Sequence, residues 1–159
     1  SKFFAVALHG RGMPSNVQRA FGMVSAAFAE AGATVVRTAG EGKSLAYGER
    51  VLEPGRYKME TPTEDDLEIV TGLGATGVEM MVVYVRDAIL PGNPLVPTIR
   101  VGEQGDVDFV VRERDDAEAI GERLLRLMGE IRSGAKVTRA DATRNVGFQI
   151  TRGYVGISL

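Results

Sequence analysis

Two short, strongly apolar segments restrict the fold of this chain more than any other feature of its sequence. They are FFAVAL at residues 3–8 and VEMMVVYV at residues 78–85. A strand with one face in water alternates apolar and polar residues, whereas runs like these are typical of strands buried on both faces. Such strands occur mainly in parallel sheets that helices cover on both sides. The two segments therefore indicate a layered α/β fold.

The segment after the first run has the spacing of an amphipathic helix. Ser15 or Asn16 is the predicted N-cap, and Gly32 is the predicted end. Between them, apolar residues recur at intervals of three and four, namely Val17, Phe21, Val24, Ala27, Phe28 and Ala31. The β-rich stretch ATVVRT follows at residues 33–38. The first part of the chain is thus predicted to form a strand–helix–strand unit, the building block of parallel sheets.

Further strands and helices alternate along the rest of the chain. Predicted strands are RYKMET at 56–61, PTIRV at 97–101 and VDFVV at 107–111. A helix is predicted after a cap at Thr63, with an inner side formed by Leu67, Val70, Leu73 and Gly74. The acidic residues Glu64, Asp65 and Asp66 compensate the dipole at its start.

The last helix is predicted to run from a cap at Asp115 to Gly134. The polar, Gly-rich stretch 40–55 is interpreted as a loop, and the tail 148–159 as a strand or an extended arm. No linker or repeat divides the sequence. Residues 1–159 are therefore predicted to form a single α/β domain with three layers and a mainly parallel, Rossmann-like sheet.

Composition excludes several classes of function. The chain of 159 residues has no cysteine, so it has no disulfide, thiol nucleophile or cysteine-ligated metal. Its net charge of -2 gives no indication of a surface for nucleic acid. No apolar run approaches the roughly 20 residues that a membrane helix needs, so no membrane partner is expected. These features predict a cytoplasmic protein whose chemistry uses oxygen groups, amines or the single His9.

Two predicted loops lie where strands of a parallel sheet end, which is where ligands bind in open α/β sheets. The first follows His9 and contains Arg11, Ser15 and Asn16, which we interpret as candidates to bind a carboxylate or phosphate. A plain tight turn is the alternative. The second begins with Arg86 and Asp87, where a guanidinium could bind both oxygens of a carboxylate. Its alternative is an Arg–Asp pair that only steadies the loop.

A third candidate is GKSLAYGER, at residues 42–50. It places Lys43, Ser44, Tyr47 and Glu49 in one polar stretch. These groups can transfer protons if burial shifts their pKa values. Lys43 and Glu49 are the candidate catalytic residues, and solvated surface is the alternative reading.

Several segments, in order, resemble the carboxy-terminal region of the altronate/galactarate dehydratase family. SNVQRAFGMVSAAFAEAGATVV is similar to a family helix and its following strand, and GKSLAYGER to a Lys-Ser-Leu-Gly segment and a Tyr-Gly-Glu stretch. RYKMETPTEDDLEIVTGLGATGVEMMVVY resembles a Met-Asp-Thr-Pro segment with its helix and strand, and GNPLVPTIRV a Gly-x-x-x-x-Pro-x-Ile-Lys-Val turn and strand. The resemblance covers nearly the whole chain.

The resemblance implies a domain or subunit of an enzyme that removes water from a small polyhydroxy carboxylate. A base would take the proton next to the carboxylate, and a divalent metal, iron or manganese, would hold the developing enolate. The metal would be held partly by another chain, in a homo-oligomer or with a companion dehydratase subunit. Ser44, Arg86 and Asn93 lie in the resembling segments and are candidates to bind the substrate.

One departure from the family keeps alternatives open. The family's Thr-Thr-Gly-Arg-Gly signature stands here as Tyr84-Val85-Arg86-Asp87-Ala88, which keeps only the arginine. The alternatives are a non-catalytic module that binds a small carboxylate and a self-assembling paralogue of the same fold.

Overall fold

Every strand in the described residues runs parallel to its neighbours in one sheet. The computed structural model describes residues 4–86, 96–134 and 138. The described strands are β1 (Ala5–His9), β2 (Thr34–Arg37), β3 (Lys43–Leu45), β4 (Arg56–Met59), β5 (Met80–Tyr84), β6 (Thr98–Gly102) and β7 (Phe109–Val110). The described helices are α1 (Ser15–Glu30), α2 (Asp66–Ala75) and α3 (Ala117–Arg132).

The strand order β3-β4-β2-β1-β5-β6-β7 creates a switch point between β1 and β5. From β1 the chain passes through α1 to β2 on one side, and later returns through α2 to β5 on the other. The carboxyl ends of β1 and β5 therefore border a crevice of the kind found at switch points of open α/β sheets. The fold places the loop after β1 and the residues after β5 on either side of this crevice.

Helices cover both faces of the sheet, as the apolar runs predicted. Alternate residues of β1 point to opposite sides, so Val6 and Leu8 join the core formed with α1 and α3, whereas Ala5 and Ala7 join the core formed with α2. All five residues of β1 and of β5 are buried. The predicted three-layer α/β fold with a Rossmann-like parallel sheet is confirmed.

Strand β3 was not predicted, because the stretch 40–55 was interpreted as a loop. Lys43 and Ser44 are exposed, and only Leu45 is buried. A three-residue edge strand with one buried side chain has no detectable period, and it forms by pairing with β4. The predicted strands at 56–61, 97–101 and 107–111 correspond to β4, β6 and β7.

The predicted caps of α1 and α3 were wrong by one or two positions. Pro14, and not Ser15 or Asn16, is the N-cap of α1, and no side chain caps this helix. Asp116 caps α3, with its carboxylate accepting a hydrogen bond from a backbone N–H of the first turn. Asp115 instead accepts a hydrogen bond from the backbone of the preceding turn.

The start and inner side of α2 also differ from the prediction. Asp65 is the N-cap, and its carboxylate accepts a hydrogen bond from the backbone N–H of Leu67 at 3.0 Å. Thr63 accepts one from the backbone N–H of Asp65. Leu67 was predicted to be buried, but it is 49% exposed. Ile69 is buried in the core in its place. The tail 148–159 lies outside the described residues.

Candidate functional site

A pocket of about 420 Å³ lies at the carboxyl ends of β1, β5 and β6. It lies on the crevice side that faces α1, and is lined by Gly12, Pro14, Tyr84, Arg86, Glu103 and Gln104. The N-terminus of α1 adjoins it, since Pro14 is both a pocket residue and the N-cap of that helix. A helix N-terminus carries partial positive charge, so it favours an anion at this position.

Arg86 provides the cationic group of this pocket. Its exposed side chain lies against Gly12, where an added Cβ would be 2.7 Å from Nη1 of Arg86. Gly12 has a φ of 64°, a conformation that glycine adopts without strain. Within residues 4–86 and 96–134, Arg86 forms no ion pair. Its guanidinium therefore keeps its hydrogen-bond donors available to a ligand.

The opposite wall of the pocket contains oxygen acceptors. The Tyr84 hydroxyl donates to Oε2 of Glu103 at 3.4 Å, and Gln104 lies next to it. A carboxylate, an amide and a phenol suit the hydroxyl groups of a ligand, whereas Arg86 suits an acid group. The pocket thus combines one cation with several groups that bind neutral polar atoms.

Arg11 was predicted to bind the same anion, but it lies outside the residues that line this pocket. Its Nε donates to Oδ1 of Asp66 at 3.1 Å, and its Nη1 lies 3.5 Å from Oε1 of Glu64. The hydrogen bond to Asp66 raises the pKa of Arg11. Two carboxylates already share the charge of Arg11, so it is less suited than Arg86 to bind an anionic ligand.

A second polar cluster lies on the α2 side of the same sheet edge and is centred on His9. This side chain is buried, with Nε2 3.0 Å from Oδ1 of Asp66 and Nδ1 2.6 Å from Oγ1 of Thr38. A carboxylate only accepts hydrogen bonds, so Nε2 of a neutral His9 donates to Asp66 and Nδ1 accepts from Thr38. The result is a chain of hydroxyl, imidazole and carboxylate, the order found where an imidazole activates a hydroxyl group.

Burial and hydrogen bonding set the charges of this cluster. Burial lowers the pKa of His9, although the hydrogen bond and the charge of Asp66 oppose this effect. Burial alone would raise the pKa of Asp66, but hydrogen bonds from His9 and Arg11 outweigh it and the pKa lies below its ordinary value. His9 is therefore neutral and Asp66 charged at pH 7.

Sequence reasoning missed this cluster. The only signal was the single histidine of the chain at the end of a buried strand. Its partners Thr38 and Asp66 lie 29 and 57 residues away in sequence. Asp66 had been interpreted only as dipole compensation. Contacts of this kind depend on which strands and helices are neighbours, which periodicity does not determine.

Asn16, predicted to bind the anion, is not among the residues that line the Arg86 pocket, and it has a structural role. Its amide nitrogen donates to the backbone oxygens of Arg112, Glu113 and Asp115, at 2.9, 3.3 and 2.9 Å. Its Oδ1 accepts from the backbone N–H of the next residue. Asn16 therefore ties the start of α1 to the loop before α3. Ser15 is exposed at the first position of α1.

The structure does not bring the other predicted residues to the Arg86 pocket. Lys43 and Ser44 lie on edge strand β3, which β4 and β2 separate from β1, a distance of roughly 14 Å at the usual strand spacing. Oε1 of Glu49 accepts a hydrogen bond from the backbone N–H of Ala46 at 2.9 Å and closes a turn. The Tyr47 hydroxyl donates to a backbone oxygen of α2 at 2.6 Å. Asp87 and Asn93 lie outside the described residues.

The described residues do not provide a complete set of metal ligands. In the ranges 4–86 and 96–134, no group of three or more carboxylate and imidazole side chains converges. His9 and Asp66 are adjacent, but the imidazole donates to the carboxylate and is not free to bind an ion through that nitrogen. A divalent metal does not fit this cluster on its own.

Comparison with known proteins gives no assignment. No protein-family model matches the chain. No curated protein matches it either. In the described part of the chain, no helix is both long and apolar enough to cross a bilayer.

Proposed function

We propose that this chain is a domain or subunit of a sugar-acid dehydratase, of the altronate/galactarate type, that binds the carboxylate of a small hydroxy acid beside Arg86. The observation that carries the proposal is the exposed Arg86 guanidinium, which has no ion pair within the described ranges and lines a pocket at the switch point of the sheet. Ligands of open α/β sheets bind at such positions. The segment resemblance supplies the reaction class.

The chemistry of the pocket walls supports a hydroxy acid as the ligand. Arg86 offers a fork of donors to a carboxylate, and Glu103, Gln104 and Tyr84 offer partners to hydroxyl groups along the chain of the acid. A volume of about 420 Å³ falls in the range of small-molecule sites.

In the proposed reaction, a base takes the proton from the carbon next to the carboxylate, the hydroxyl on the following carbon takes up a proton and leaves as water, and the resulting enol becomes the 2-keto acid. Arg86 stabilises the charge that develops on the carboxylate during the proton transfer. Glu103 and Tyr84 are the described pocket groups that can accept or donate a proton. Ligands for iron or manganese would come from a companion chain or a second copy, since the described ranges do not provide a set. The catalytic roles of Lys43 and Glu49 stay predictions that this pocket does not use.

A second candidate is a non-catalytic module that binds the same carboxylate. The loss of the family signature's glycines in the segment Tyr84–Ala88 favours it, because glycines there would allow the backbone to lie close to a ligand. Both candidates require ligand binding at Arg86, but only the dehydratase makes a 2-keto acid. A cytoplasmic location, which agrees with the absence of cysteine, is part of both proposals.

A thermal-shift panel of aldonates and aldarates, with and without manganese or iron, tests the proposal. A true ligand at about 100 times its dissociation constant stabilises the fold by about 2.7 kcal/mol. We expect the Arg86→Gln variant to lose this stabilisation and an Arg114→Gln variant, which changes an exposed arginine after β7, to keep it. A panel in which no acid raises the melting temperature would refute ligand binding. Binding without 2-keto acid in the metal-supplemented mixture would leave the non-catalytic module.

A further inference from the structure

A second pocket, distinct from the Arg86 pocket, lies on the other side of β1. It is formed between α1 and strands β2 and β4, with a volume of about 190 Å³. It is lined by Gly22, Ser25, Ala26, Val35, Arg37, Glu41, Arg56 and Tyr57. The α1 residues in this set are small, and they leave room above the sheet.

The strand register places two arginines, Arg37 and Arg56, on the face of the sheet that borders this pocket. Arg56 at the start of β4 pairs with Val35 of β2, and Arg37 ends β2 two residues later. Directly opposite residues, and residues two apart on one strand, share a face of the sheet. Val35 packs in the core beneath α1, so Arg37 and Arg56 project on the α1 side. The two guanidinium groups therefore face the same space from neighbouring strands.

These two arginines lack acidic partners within residues 4–86 and 96–134. Neither forms an ion pair there, and Glu41 lines the pocket without pairing with either. Burial, and then repulsion by Arg56, lower the pKa of the half-buried Arg37. Arg56 is exposed, whereas the half-buried Arg37 is partly desolvated beside this second cation, a cost that a bound anion would reduce.

We propose that this pocket binds a small oxyanion, a carboxylate or phosphate group, between Arg37 and Arg56. The planar fork of each guanidinium matches the paired oxygens of either group. The hydroxyl of Ser25, a buried residue of the pocket wall, adds a hydrogen-bond donor. The site is separate from the Arg86 pocket, because it is formed by α1, β2 and β4 and the two pockets share no lining residue.

Binding titrations at constant ionic strength test this site. Inorganic phosphate and tartrate are titrated separately into wild-type protein, Arg37→Gln, Arg56→Gln and the control Arg126→Gln, which removes an exposed arginine of α3. We expect at least one anion to bind, with affinity reduced about tenfold or more in the Arg37 and Arg56 variants and unchanged in the control. The preferred anion identifies the ligand as a phosphate or a carboxylate compound. In Arg86→Gln, which lacks the proposed hydroxy-acid site, the binding that depends on Arg37 and Arg56 is expected to remain, which separates this site from the proposed function.

Urea unfolding without anion provides a second readout. Because Arg37 has no acidic partner in the described ranges and is repelled by Arg56, Arg37→Gln is expected to be at least as stable as the wild type. The proposal would be overturned if phosphate and tartrate bound the wild type, Arg37→Gln and Arg126→Gln equally. It would also be overturned if neither anion bound the wild type. A loss of stability in Arg37→Gln as large as that caused by breaking a buried ion pair would overturn it as well.

Discussion

Acidification from pH 7.5 to 5.5 should destabilise the protein through one residue, His9. It is the single histidine of the chain, so no other side chain has an ordinary pKa in this interval. The groups that face it are the Thr38 hydroxyl, the Asp66 carboxylate and, through Asp66, the Arg11 guanidinium with Glu64 beyond it. The net effect of this environment, with burial as the largest cause, is a pKa below 6.5 in the folded state.

The direction of the effect follows from proton binding. Below its ordinary value of 6.5, an unfolded chain takes up a proton on His9, while the folded protein does not until its lower pKa is reached. Stability that is fully present above pH 6.5 is therefore lost as the pH falls through this window. One proton gives a slope of at most about 1.4 kcal/mol per pH unit. Asp66, with a pKa lowered from 3.8, contributes to a separate loss at more acidic pH.

Urea unfolding at intervals of pH measures this slope in the wild type and in His9→Gln. Glutamine can still donate to Asp66 but does not titrate, so we expect a less stable protein at pH 7.5 with a flatter profile. Nitrogen NMR of the single imidazole should also show a proton on Nε2 and none on Nδ1 at pH 7.5. A wild-type stability that stays constant or rises on acidification, or an equal slope in His9→Gln, would refute the reasoning.

Three further substitutions change stability, and Gly32→Ala is the control for Gly12→Ala. Gly12→Ala should cost about 1–2 kcal/mol through its positive φ, as should Gly32→Ala, which has a φ of 82° and open space around it. Only Gly12→Ala should also weaken hydroxy-acid binding, because its methyl group displaces Arg86; equal affinities in the two variants would contradict this contact. Asn16→Ala should lower the free energy of unfolding by about 1–3 kcal/mol, because it leaves backbone oxygens without a donor. Unchanged stability with lost ligand binding would instead support the predicted ligand role of Asn16.

The sequence was sufficient to predict those parts of the fold in which burial produces a pattern. Strands β1 and β5, buried on both faces, are visible as apolar runs, and α1 is visible by its spacing. Strand β3 was missed because only Leu45 is buried and its pairing with β4 supplies the rest of its stability. The caps of α2 and α3 shifted because residues able to cap lie close together there, and backbone geometry selects Asp65 and Asp116; at α1 the N-cap is Pro14, which has no capping side chain.

A residue of the candidate site could be predicted from the sequence only when a single strand or helix determines its position. Arg86 follows β5 directly, so its place at the carboxyl edge of the sheet follows from the strand. The pairing of Arg11 with Asp66, and the approach of Arg37 to Arg56, depend on neighbours distant in sequence. In particular, β2 lies beside β4 and not beside β3, an order that no local pattern determines.

Isothermal titration of a hydroxy acid, such as galactarate, into the wild type, Arg86→Gln and Arg114→Gln tests the central claim most directly. We expect saturable binding to the wild type and to Arg114→Gln, with affinity reduced about tenfold or more in Arg86→Gln, because the variant loses a charge-assisted pair with the carboxylate. Equal affinity in all three proteins would contradict an anion site at the crevice between β1 and β5.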